Sequence, residues 1–461
     1  MNPSLLNKLS FKHKLIAATA LAGIGISTAI YSIPTSNPRP DSIWKYRFAR
    51  PEAGSVTKNI RNEIAFHQQK IQQQPTAGLE RAALAQNYIK MARATGESSW
   101  YLLAERMAQE SLEKLPVYNN GAIVVLAKVA TAKHEFKQAL SLLKPLPPEP
   151  EVLSLQTTSH LALGDVTTAR KTADTLVQKL PTLGNLTLRA LVEIAQGDDL
   201  AAMRDFKAAI AAEEPEELES SAWVRTLLGR LYYKRGQLQQ AEELYQSSLE
   251  ILPRYAPALL NLAELSVRQW QSDPTQNKDR DRAVELYDRF FIVNQQAPTV
   301  YDHVSLRGLA RVQQLQGDTV KANQTWAKAI AKLRSDLTGF GHRRELAQLL
   351  MERGQGKDLA EALTLMQAEI ITRQDPETWD TLAAAYLNLG QLPAAQQAIE
   401  SAMKSGLRDP AITDRAAVIA QARGQSEQAS KYRVEVRSID PLFDAGARQA
   451  LGLGVGLSGL N

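Results

Sequence analysis

The sequence predicts an all-α solenoid of stacked helix pairs, and three observations carry that prediction. A turn residue is followed five positions later by a small or unbranched apolar residue at Gly164/Ala169, Asp198/Met203, Gly236/Ala241, Gly317/Ala322, Gly390/Ala395 and Gly424/Ala429. A proline then closes a unit twelve residues on, at Ala104/Pro116, Ala169/Pro181, Met203/Pro215, Ala241/Pro253 and Ala429/Pro441. Two steps, Ala169 to Met203 and Ala395 to Ala429, measure 34 residues, a period of stacked helix-turn-helix units.

Composition agrees. The 461 residues are rich in Ala, Leu and Gln with only 6% aromatics, which suits helices that touch through small residues. The absence of cysteine excludes disulfides, thiolate metal sites and cysteine catalysis, without fixing a compartment. A net charge of +5 is modest for this length, and basic runs such as Lys12 to Lys14 and Arg343–Arg344 are short, so no nucleic-acid partner is expected.

In chain order, residues 1–14 form a basic tail before Leu15 to Ile33, 19 residues without a charge. At about 1.5 Å per residue such a helix just crosses a hydrocarbon core of roughly 30 Å, so 15–33 is expected to be a transmembrane helix. The same stretch also fits a cleaved signal peptide, with Ser27 and Ala29 as the small residues of a cleavage site, although its apolar run is long for one. Basic residues before the first apolar segment usually stay inside, which places the large domain on the extracytoplasmic side; a cytoplasmic array remains the alternative.

Residues 34–54 follow as a linker in which Pro34, Pro38, Pro40 and Pro51 forbid regular helix. There Trp44, Tyr46 and Phe48 alternate with Lys45 and Arg47, which reads as a stiff spacer or as an anchor at lipid head groups. A capping helix is expected over 55–77, starting at Ser55 as N-cap and burying Ile60, Ile64, Phe66 and Ile71.

The array itself runs over 78–441. Two units are fullest: Leu228-Gly229-x2-Tyr232 leading to Gly236, Ala241, Tyr245 and Pro253, and Trp379-x2-Leu382-Ala383-x2-Tyr386 leading to Gly390, Ala395 and Ile399. Gly229 and Ala383 stand where the first helix of a pair crosses the second, the tyrosines fill space between pairs, and Gly236 and Gly390 permit the left-handed residue that ends the first helix. These columns resemble the tetratricopeptide repeat. In that register about ten units start near Gly78, Asn120, Pro150, Gly184, Ala222, Ala256, His303, Arg343, Pro376 and Pro410. The resemblance implies a right-handed α-solenoid, and the layout of anchor then repeats is similar to bacterial membrane-anchored members of the family. Residues 442–461 form a Gly/Leu tail, with Leu442 and Phe443 covering the last helix.

No reactive constellation emerges. No two of His13, His67, His134, His160, His303 and His342 lie at metal-ligand spacing on one helix face. The Gly454-x-Gly456-x-x-Gly459 string has no β-α-β context, and the acids Glu213, Glu214, Glu216 and Glu217 around Pro215 read as a solvated turn. The chain is therefore expected to be no enzyme and to need no cofactor or metal.

The resemblance further implies that first helices line a concave groove at the second, fifth, ninth and twelfth to thirteenth positions of each unit. In the central units these are Trp223, Arg230, Tyr233, Lys234, Arg268, Arg307, Arg311 and Arg344; in the last two they are Glu377, Asp380 and Asp414. The expectation is a basic groove that takes an acidic segment of a partner protein. The family's chaperone-tail clamp is not matched, because Thr226 and Arg230 stand where Lys and Asn are wanted. The function expected is a membrane-tethered interaction scaffold or assembly factor. The alternatives are a non-catalytic regulatory, carbohydrate-handling or secretion-machinery subunit, or a secreted repeat protein.

Overall fold

The computed structural model describes residues 44–49, 54–215, 217–293, 299–335 and 342–446. The chain divides into Met1–Asp41 and Ser42–Asn461, and the description concerns the second unit. The expected basic tail, the transmembrane helix 15–33, most of the linker and the glycine string at 454–459 lie outside the described residues. Among the described residues no helix is long and apolar enough to cross a membrane.

The described residues hold twenty-one α-helices and no strand. A lead helix, α1 (Ser55–Gln73), precedes ten antiparallel pairs. Pairs 1 to 5 are α2 (Gly78–Thr95) with α3 (Ser99–Lys114), α4 (Asn120–Ala132) with α5 (Phe136–Leu143), α6 (Pro150–Ala162) with α7 (Val166–Lys179), α8 (Leu183–Ala195) with α9 (Asp199–Ala211), and α10 (Leu218–Tyr233) with α11 (Leu238–Ile251). Pairs 6 to 10 are α12 (Ala256–Ser272) with α13 (Asn277–Val293), α14 (Asp302–Leu315) with α15 (Thr319–Ser335), α16 (Arg343–Arg353) with α17 (Gly356–Thr372), α18 (Pro376–Asn388) with α19 (Leu392–Met403), and α20 (Pro410–Ala422) with α21 (Ser426–Ile439). This is an all-α array of antiparallel helix pairs.

The columns act as their chemistry dictates. A Cβ on Gly229 would come within 2.5 Å of the Tyr245 ring, so only glycine lets α10 and α11 approach this closely. Ala169, Ala241, Ala322, Ala383, Ala395 and Ala429 are fully buried at helix contacts. Gly236 and Gly390 hold φ of 71° and 69° where their first helices end. Pro150, Pro376 and Pro410 open α6, α18 and α20, where a missing N–H costs nothing.

The structure corrects four local expectations. In pair 4 the left-handed residue is Gly197, with φ of 78°, so the true column is Gly197/Ala202. Asp198 instead caps α9, its carboxylate accepting from the Ala201 N–H. The cap residue of α1 is Gly54 rather than Ser55, and Phe66 on that helix is 54% exposed, because the buried stripe consists of Ile60 and Ile64. Glu213 is no solvated acid: it is buried and takes two hydrogen bonds from the buried Arg225 guanidinium, at 2.6 and 3.2 Å. The fourth correction concerns the linker. Trp44, Tyr46 and Phe48 are half-buried and the residues between them exposed, the alternation of an extended strap lying on the array. Tyr46 donates to the Pro215 carbonyl at 2.7 Å, Arg47 donates to the carbonyl of Ala211 at the end of α9, and Arg225 donates to the Trp44 carbonyl.

The winding is tight enough that the array meets itself. The turn inside pair 1 meets the connection after pair 6, where Val300 N–H donates to the Gly96 carbonyl at 3.0 Å. The turn of pair 3 meets the connection after pair 8, with Gln374 N–H donating to the Ala162 carbonyl at 2.7 Å. Pair 4 meets the connection after pair 9, where Arg408 binds Asp199 at 2.9 Å and Gly197 lies against the Gly406 carbonyl. Pair 5 meets the connection after pair 10, where Gly236 lies against Asp440. Pair 2 reaches α17 through Lys137, which donates to the Ile371 carbonyl. The offset of five pairs recurs, so a turn of the superhelix takes about five pairs, and successive turns share a seam.

The turn glycines record this division. Those of pairs 1, 3, 4 and 5 face chain from the next turn of the superhelix, whereas Gly317, Gly390 and Gly424 face open space. Pair 2 has His134 in that left-handed position instead, with φ of 61°.

Candidate ligand-binding cavity and the filled groove

The eight residues expected to form an open basic groove are engaged within the chain. Trp223 belongs to the core and Arg230 is 2% exposed. Arg268 lies 4.9 Å over the Tyr233 ring and donates to Asp440 at 2.8 Å and to the Leu442 carbonyl at 3.0 Å. Lys234 pairs with Asp409. Arg307 binds Glu352 and Gln348, Arg311 binds Glu264, Gln271 and the Gly446 carbonyl, and Arg344 binds Asp375 and Glu345.

The seam and the neighbouring pairs share this work. Winding at about five pairs per turn carries Asp409 and Asp440 onto Lys234 and Arg268 of pairs 5 and 6, whereas Arg307, Arg311 and Arg344 meet Glu352, Glu264, Glu345 and Asp375 of their own or adjacent pairs. The acids that meet these cations are supplied by the same chain. Burial works against charge on Asp409, yet Lys234 outweighs it and holds the carboxyl below its ordinary range. The expected acidic end is likewise used internally: Asp380 takes a hydrogen bond from Arg415 at 2.5 Å, and Glu377 lies 3.6 Å from Arg344.

An opening remains on the inner side of pairs 1 to 4. A cavity of about 250 Å³ is lined there by the first helices α2, α4 and α6, by Tyr101 of α3, and by Thr182 and Asn185 around the start of α8. Ile89 and Leu155 give it apolar wall, and Ser154, Thr158 and Asn185 give it polar wall. Two cations face it. Lys128 is 7% exposed and pairs with Glu151 and, at 3.1 Å, with Gln86. Burial, with Arg93 adding to it, pushes the Lys128 ammonium down to about 8, against the pull of Glu151. Arg93 is half-buried and makes no hydrogen bond or ion pair among the described residues. Burial lowers its pKa, while Tyr101, Glu219 and Glu151 favour its charge through space.

Sequence reasoning passed over these residues although part of the signal was present. Counted from Asn120, Pro150 and Gly184, Lys128, Ser154 and Asn185 occupy groove columns nine, five and two. Arg93 lies beyond the last column because α2 has 18 residues and outruns the motif.

A second cavity of about 200 Å³ sits on the seam between pairs 1 and 7, walled by Ser98, Thr299, His303, Lys332 and His342. The His303 and His342 rings are 5.0 Å apart. Burial, then His342, pushes His303 down to about 3; burial, then Arg373, does the same to His134, which lies 3.9 Å from Glu369. Among the described residues no group of three His, Cys, Asp or Glu is placed to hold a metal ion.

No protein-family model matches the chain, and no curated protein matches it. Among solved structures, a human IFIT1 dimer with m7Gppp-AAAA aligns with 83% of this chain and 86% of its own, at 13% identity and a TM-score of 0.46. A human IFIT1 dimer with PPP-AAAA aligns with 85% of this chain and 95% of its own, at 12% identity and a TM-score of 0.45. A tetratricopeptide repeat protein from Parabacteroides merdae aligns over 98% of its length with 56% of this chain, at 16% identity and a TM-score of 0.36. At these scores nothing about function passes from those proteins to this chain.

Proposed function

We propose that this chain is a non-catalytic, membrane-tethered scaffold that takes a segment of a partner protein into the cavity beneath pairs 1 to 4. One observation carries the reading. The helices α10 and α12 are buried almost all round, which a helix in a stacked array reaches only when its concave face is covered. On the first four pairs that face keeps a cavity with two cations and several polar side chains. Concave, partly apolar sites with a few convergent polar groups are the usual form of a binding site. Tethering by residues 15–33 would raise the local concentration of whatever the cavity holds, so modest contacts suffice. The extracytoplasmic side of a bacterial inner membrane is the side we favour, on the basic residues that precede the apolar segment.

The test is photocrosslinking in native membranes. A benzoylphenylalanine at Ser154, inside the cavity, should capture a protein that the same group at Val434, 69% exposed on α21, does not. Equal capture at both positions, or capture of nuclease-sensitive material at Ser154, would count against the reading. Membrane fractionation with external protease tests the tether: the array should sediment with membranes and survive until they are permeabilised.

A further inference from the structure

We infer that Arg93 is the anchor of a subsite for a monoanionic carboxylate within the cavity of pairs 1 to 4, an inference that rests on the binding role proposed above and names its ligand chemistry. Lys128 is neutralised by its contact with Glu151. Arg93 has no such contact: it faces the cavity half-buried, without a hydrogen bond or ion pair among the described residues. Arginine elsewhere along the concave face is engaged several times over, as Arg268 and Arg311 are. Partial burial of a guanidinium removes water that its five N–H donors would otherwise bind, and no protein acceptor takes its place.

The surroundings select the anion. Glu219 and Glu151 lie within electrostatic reach of Arg93 without touching it, and their field opposes a dianion more strongly than a monoanion. A planar guanidinium also presents two parallel N–H bonds that fit a carboxylate edge to edge. Among the described residues the Ser154 hydroxyl makes no hydrogen bond, and the Asn185 amide keeps one N–H beyond its 2.8 Å bond to the Leu180 carbonyl, so neutral donors stand on the same wall. At about 250 Å³ the space lies just below the usual range for drug-sized ligands, roughly 300–1,000 Å³, and suits a small acid or a single acidic side chain with its backbone.

The full-length chain in detergent is titrated with N-acetylalanine and with N-acetylalanine amide, which differ only in carboxylate against carboxamide, and with acetyl-Gly-Glu-Gly amide, which carries its carboxylate on a side chain. Binding of N-acetylalanine at least about tenfold tighter than its amide is expected, and Arg93→Gln should remove that difference while leaving the helical melting curve in place. Preference for N-acetylalanine identifies a free acid or chain end as the source; preference for the glutamyl peptide identifies an acidic side chain. In the unsubstituted protein, phenylglyoxal modification of Arg93, followed by mass spectrometry, should slow when the acid is present, which tests the idea even if the variant misfolds. Equal binding of acid and amide, or unprotected Arg93 at saturating acid, overturns the subsite. Protein capture at Ser154 with no carboxylate preference removes this inference and leaves the scaffold; carboxylate preference with no capture does the reverse.

Discussion

Exchanging two glycines of the same repeat column isolates the strength of the seam. Gly164 and Gly390 both end a first helix, with φ of 73° and 69°. Placing alanine at either forces an L-residue into the left-handed region, at about 1–2 kcal/mol. A Cβ on Gly390 meets nothing within 4 Å, so that strain is the whole expected effect. A Cβ on Gly164 lies 2.7 Å from the carbonyl oxygen of Gln374, a backbone atom of the next superhelical turn that cannot swing aside. Overpacking of this kind adds about 1–3 kcal/mol, so Gly164→Ala should cost roughly 2–5 kcal/mol and concentrate its effect at the seam. Hydrogen exchange of the Gln374 amide, which donates to the Ala162 carbonyl at 2.7 Å, reads that effect directly. Its protection should fall about 5- to 150-fold in Gly164→Ala and stay unchanged in Gly390→Ala. Equal protection of that amide in both variants would refute the packed seam.

Three other perturbations test separate parts of the structure. Arg225→Ala strands the Glu213 carboxylate in a buried site and should cost about 3–5 kcal/mol, read as a large fall in melting temperature together with protease access to the 44–49 strap. Gly229→Ala drives a methyl into the Tyr245 ring and should cost about 1–3 kcal/mol, with exchange accelerated across α10 and α11. Acid should loosen the seam through its histidines. His134 and His303, folded, titrate near 3, well below the ordinary value of about 6.5, so the unfolded chain takes the protons first. The stability they contribute is complete above about pH 6.5 and is lost as pH falls towards 3, at up to about 2.7 kcal/mol per pH unit for the two together. Arg373, Arg344, Arg307 and Lys332 face these rings from neighbouring elements and oppose their protonation, while Glu345 favours it. Small-angle scattering from pH 7 to pH 4 should show expansion, and His134→Gln should flatten the dependence.

The repeats were legible because each column is a local solution to a local problem. Glycine where a helix must end left-handed, alanine where two helices cross and proline where a new helix starts are visible in a window of one unit. Of the ten expected starts, Gly78, Asn120, Pro150, Ala256, Arg343, Pro376 and Pro410 are the first residues of observed helices. The largest slip, Ala222 for Leu218, came from α10 extending a full turn upstream of its motif. Asp198 was misread because aspartate serves both turns and N-caps, and only the φ of Gly197 separates the two. What no single unit contains is the pitch. Whether pair 5 meets pair 10 depends on small rotations summed over every intervening pair, and that sum sets Asp409 and Asp440 against Lys234 and Arg268. Arg268 reads as a free cation until Asp440, 172 residues later, is brought against it.

The contact at an offset of five pairs has a further consequence. An open solenoid can lose or gain a unit and keep its neighbours, because each interface is with the next in line. Here Gly197 opposite Gly406 and Gly164 opposite Gln374 are matched pairs across a coil. Deleting one unit from the middle would set each later residue against the wrong counterpart. The length of the array is thereby locked to its curvature. Melting should spread around the coil from any broken contact instead of creeping inward from the ends, so a chain that looks modular on paper would have to evolve as a single piece.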